Sequence, residues 1–146
     1  TMQCDELWSF VDNKGNQQWV WLALDANTRE MVGVYVGARD EAAAQQLWAS
    51  LPRSTAKVRY ALRASCLRHI AYTDFWAAYA AVFPSKRHQA VGKKTGKTSY
   101  IERLNHTLRQ RVSRLVRKTL SFSQSLENQI GAIWYFVHFY NTSLLV

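Results

Sequence analysis

The 146-residue chain is 48% apolar and 13% aromatic, enough for one buried core and incompatible with a disordered polymer. Nineteen Lys and Arg against ten Asp and Glu give a net charge of +9, an excess that attracts polyanions, nucleic acid above all. No apolar run reaches the roughly 20 residues of a membrane span, and Cys4 and Cys66 match neither a zinc-ligand spacing nor a disulfide framework.

Residues 4–11 read as a strand, with Trp8 and Phe10 on one face and Leu7 and Val11 on the other. A turn cluster follows at 12–16, and 18–24 is a nearly continuous apolar strand of the kind found in a sheet centre. A second turn at 25–28 leads to a third strand at 31–36, which completes an antiparallel meander. The period then changes. Residues 40–51 place Leu47, Trp48 and Leu51 at helical spacing, and Pro52 ends the run. A short strand at 67–73 ending at Asp74, a helix at 75–83, a fifth strand at 86–91 and a basic loop at 92–98 come next. Two helices, 99–118 and 124–140, close the chain. This order predicts an α/β fold: an RNase H-like mixed five-stranded sheet flanked by helices, with strand four parallel to strand one and beside it.

In such a sheet three carboxylates come from elements that meet: Asp5 on the first strand, Asp74 at the end of the fourth and Glu102 near the start of the long helix. Hard oxygen ligands of this kind hold divalent metals, and two ions about 4 Å apart suit phosphoryl transfer on DNA. Each residue also has a plainer reading. Asp5 fits a solvated position near the terminus, and Asp74 fits a helix cap. Ser99-Tyr100-Ile101-Glu102 fits a capping box, in which the glutamate bonds back to the helix start. What distinguishes the set is its order along one fold.

The long helix carries an apolar stripe of Ile101, Leu104, Leu108, Val112 and Leu115, with Arg103, Gln110, Arg114, Arg117 and Lys118 broadly opposite. Glu102, Asn105 and Arg109 lie on the seam between the two faces. The nearly uncompensated positive face predicts phosphate contact by Arg103, Arg114, Arg117 and Lys118. The loop Gly92-Lys93-Lys94-Thr95-Gly96-Lys97-Thr98 superficially resembles a P-loop, but three residues separate its glycines where the motif needs four. It is expected to bind no nucleotide, and Lys93, Lys94 and Lys97 to touch DNA.

Three blocks resemble the transposase of the bacterial insertion-sequence-one family: Asp5-Glu6-Leu7-Trp8-Ser9-Phe10-Val11, Tyr72-Thr73-Asp74-Phe75-Trp76-Ala77-Ala78-Tyr79, and Ile101-Glu102-Arg103-Leu104-Asn105 with Leu108-Arg109-Gln110-Arg111, Arg114-Leu115-Val116-Arg117-Lys118 and Leu120-Ser121-Phe122-Ser123. The resemblance implies a DDE transposase whose catalytic and metal-holding residues are Asp5, Asp74 and Glu102, with Asn105 and Arg109 orienting the glutamate or a phosphate. It implies two Mg²⁺ ions, with Mn²⁺ able to substitute, and a freed 3′-hydroxyl that attacks target DNA. It also implies element ends and target DNA as partners, and a homo-oligomer in the active state. The expected location is the bacterial cytoplasm, at the nucleoid, without a membrane. Two departures stand out. The chain reads as a single catalytic domain over 1–146 without the family's upstream DNA-binding region, and residues 53–70 are basic and irregular where the family has a stretch leading into an apolar strand. A copy so altered is expected to be impaired. A non-catalytic basic DNA-binding module and an RNase H-like nuclease that cuts without joining are the alternatives.

Overall fold

A computed structural model describes residues 1–51, 70–115 and 121–144. Three antiparallel strands, β1 (Met2–Val11), β2 (Asn13–Asp25) and β3 (Met31–Gly37), are followed by helix α1 (Glu41–Ser50). Strand β4 (Ala71–Thr73), helix α2 (Ala77–Val82), strand β5 (His88–Ala90), helix α3 (Ser99–Arg111) and helix α4 (Leu126–Ser143) complete the chain. The sheet order is β3-β2-β1-β4-β5, with β4 parallel to both β1 and β5. This is the predicted mixed five-stranded sheet, consistent with an RNase H-like fold.

Strand alternation builds two cores. Leu7, Val20, Leu22, Leu24 and Val34 face α3 and α4, where they meet Ile101, Leu104, Leu108, Val112, Leu115, Ile133 and Phe136. Met2, Cys4, Trp21 and Ala23 face α1 and α2, against Ala44, Leu47, Tyr79 and Phe83. β2 is buried without a break from Val20 to Asp25, as a strand covered on both faces must be. All five residues of the predicted stripe on α3 are buried.

Local chemistry sets the ends of these elements. Asp40 caps α1 by accepting the Ala43 amide at 2.8 Å, and Ser125 caps α4 by accepting that of Asn128. The free edge of β3 is clamped by Asn141 of α4, whose amide bonds both N and O of Met31. A side chain thereby occupies backbone groups that an edge strand otherwise offers to another chain.

The long helix stops earlier than its periodicity suggested. α3 ends at Arg111, Val112 is extended, and Ser113–Leu115 form a 3-10 turn. Leu115 still reaches the core because the turn folds it inward. Arg109 stabilises this exit by donating to the carbonyls of Leu115 and Trp8. Arg114 therefore does not project from a helix opposite the stripe; it is half-buried and donates to Ser123 Oγ. Arg117, Lys118 and most of the irregular segment 53–70 lie outside the described residues.

Candidate active site

The site arises from unequal strand lengths. β4 pairs with β1 only at Met2↔Ala71 and Gln3↔Tyr72, then ends at Thr73, whereas β1 runs on to Val11. Past that point the β1 edge opens into a cleft of about 400 Å³ lined by Asp5, Asp74, Glu102, Asn105 and Arg109, together with Trp8 and Trp19. The three predicted carboxylates and both predicted supporting residues thus share one cleft.

Within it, oxygens of Asp5, Glu6 and Asp74 all lie within 4.8 Å of one another. Asp5 accepts the Asn105 amide at Oδ2 (2.8 Å) and the Glu6 backbone N–H at Oδ1 (3.0 Å). Burial, the neighbouring Glu6 carboxylate and, more weakly, those of Asp74 and Glu102 push the Asp5 carboxyl up to about 7. Such a group of hard oxygen donors, half-buried and with its like charges only partly offset, fits a divalent cation.

Glu102 lines the same cleft but stands outside that 4.8 Å group. Its Oε1 accepts the hydroxyl of Thr98 at 2.8 Å. The capping box on Ser99 does not form, because Thr98 is the N-cap residue and offers Glu102 a hydroxyl rather than a backbone N–H. Asp74 is not the N-cap of α2, which is Trp76; it accepts the Trp76 amide at 3.1 Å and so shapes the turn after β4. That bond occupies Oδ1 and restrains the carboxyl's orientation.

The basic residues distribute unevenly. Arg103, on the outer face of α3, and Lys94 and Lys97, on the loop before it, are exposed. The Lys97 ammonium sits 5.0 Å from the Tyr72 ring centre. The loop carrying Lys93 is a single 3-10 turn, Lys93–Thr95, closed by Thr95 onto the Gly92 carbonyl, with Gly96 at φ +69. Arg109 donates to two backbone carbonyls and so holds the end of α3 against β1. Asn105 bonds Asp5, not Glu102.

Sequence reasoning passed over Glu6, Arg39 and Tyr79. Glu6 points to the α2 face, where its Oε1 accepts Arg39 Nε (3.0 Å) and Nη2 (2.6 Å), and its Oε2 accepts the Tyr79 hydroxyl (2.9 Å). Arg39 lies over the rings of Trp19 and Trp76. The one sequence signal was an acidic residue within an otherwise apolar strand, directly after Asp5.

A family model described as IS1 transposase matches residues 1–141 of the chain. The chain is 34% identical over 128 residues to the insertion element iso-IS1n protein InsB of Shigella dysenteriae, covering 86% of this chain and 84% of that protein. It is 34% identical over 125 residues to the insertion element IS1 protein InsB of Shigella flexneri, with the same two coverages of 86% and 84%. With the insertion element IS1 2 protein InsB of Escherichia coli K12 it shares 31% identity over 136 residues, 93% of this chain and 72% of that protein.

Proposed function

The chain belongs to the IS1 transposase family, and on that premise we propose that its cleft cuts DNA at the ends of an insertion sequence and joins the freed strand to target DNA. Asp5, Asp74 and Glu102 are the catalytic carboxylates in this reading. The observation that carries it is the convergence of Asp5 from β1 and Asp74 from the turn after β4 in a cleft that Glu102 also lines.

A pair of Mg²⁺ ions, or Mn²⁺ in their place, supplies when bound the activation of the attacking oxygen and stabilisation of the leaving one. Asp5 and Asp74 would hold them from the sheet and Glu102 from α3. The chain's own contribution is placement. Asn105 fixes the rotamer of Asp5, and the Trp76 amide fixes that of Asp74, so neither carboxylate has to be ordered at the moment of reaction. Arg103 on α3 and Lys94 and Lys97 on the loop before it are exposed and would contact the phosphate backbone, positioning DNA without reading its sequence.

The test is strand joining with Mg²⁺ on a substrate carrying element ends. Asp74→Asn and Glu102→Gln should each abolish joining while DNA binding stays close to wild type. Joining by either variant at the wild-type rate would overturn the assignment.

A further inference from the structure

We propose that Glu6 is a fourth carboxylate of the cation site, and that Arg39 is the counter-ion which occupies it until a divalent cation competes. This rests on the reading of the cleft as a metal site and adds to it a residue outside the Asp-Asp-Glu set. Neighbouring residues of a strand point to opposite faces, so Asp5 turns toward α3 and Glu6 toward α2. They meet only because β4 has ended and the β1 edge is open, which lets both carboxylates curl around it to Asp74.

The Glu6 side chain is only 3% exposed, while that of its partner Arg39 is 39% exposed. An ordinary structural ion pair would keep its acidic member away from other carboxylates, since each adds repulsion at low dielectric. Here the acidic member is instead held within 4.8 Å of two of them. Asn105 supplies a second, independent observation. This side chain is 92% buried (8% exposed), its Nδ2 is directed at Asp5 in the cleft, and its Oδ1 has no hydrogen-bond partner among the described residues. A buried acceptor left unmatched on a residue that lines the cleft has room for a cation-bound water as its partner. Arg39 is built to yield. Its guanidinium lies over the Trp19 and Trp76 rings and has solvent on one side, so it keeps favourable contacts when Glu6 turns away.

The experiment is Mn²⁺ binding to the full chain without DNA, read by the electron paramagnetic resonance of free Mn²⁺. Glu6→Gln should weaken binding roughly tenfold or more, the scale on which losses around metal sites are felt. Arg39→Gln should bind as tightly as wild type or more tightly, because it removes the competitor. If Glu6 served only the ion pair, both variants would lose affinity together or both would leave it unchanged, and either result overturns the proposal. Asp74→Asn separates the two levels. Binding lost there but kept in Glu6→Gln defeats the Glu6 assignment alone, whereas binding kept in both defeats the metal reading of the cleft as well. A variant-free arm guards against misfolding of Glu6→Gln: Mg²⁺ titration of wild type should shift the side-chain carboxyl ¹³C resonance of Glu6, and an unmoved resonance rules the role out.

Discussion

Asn105 on α3 donates its side-chain amide to Asp5 on β1 at 2.8 Å, across 100 residues of sequence. That bond ties the helix bearing Glu102 to the strand bearing the first carboxylate, and it fixes which way the Asp5 oxygens face. Its amide is buried, so the constraint is not shared with solvent.

Removing this tie should therefore damage chemistry more than folding. For Asn105→Ala the expected loss in Mg²⁺-dependent strand joining is about 10- to 100-fold, the usual cost of losing a residue that orients a metal ligand. The thermal midpoint should fall by only a few degrees, because the variant also removes the unmatched Oδ1. Single-turnover joining and a melting curve on the same preparation check both parts.

The pH dependence follows from Asp5. Its carboxyl titrates near 7 in the fold, far above the ordinary value of 3.8, and Glu6 is shifted in the same direction, first by burial. A folded-state pKa above the unfolded one means that the fold binds the proton more tightly, so this contribution is present in full below pH 3.8 and disappears as pH rises through 7. The metal-free protein should therefore lose denaturation midpoint between pH 5 and pH 8 from these groups. Mg²⁺ should restore it at pH 8 and do little at pH 5, where protons hold the site. A midpoint series at both pH values, with and without Mg²⁺, checks the sign.

Tyr79 offers a stability prediction on the opposite face of the sheet. It is fully buried, and burial first, then the neighbouring Glu6, pushes its hydroxyl well above the ordinary 10, so it remains a donor to Glu6 throughout the working range. Tyr79→Phe should cost about 1.5–3 kcal/mol, the scale of a hydrogen bond to a charged group, with the ring packing against Trp21 and Phe83 retained. Urea denaturation at neutral pH measures it; a loss below half a kcal/mol, roughly a neutral surface change, would mean that Arg39 alone holds Glu6.

Strand and helix periodicity determined the meander, the order of the later elements and the apolar stripe from Ile101 to Leu115, because these depend on which residue faces the core and that repeats every two or 3.6 positions; the three expected carboxylates came from their order along such a fold. Tertiary structure alone decided the rest. The helix ends at Arg111 because bonds from Arg109 to distant Trp8 and to Leu115 hold a different path. Asn105 serves Asp5 because α3 lies across β1. Glu6 joins the acidic group because β4 is only three residues long and leaves its neighbour's edge open. Periodicity assigns a side chain to a face, but a strand that stops early lets two faces communicate, and where a partner strand stops is written elsewhere in the chain.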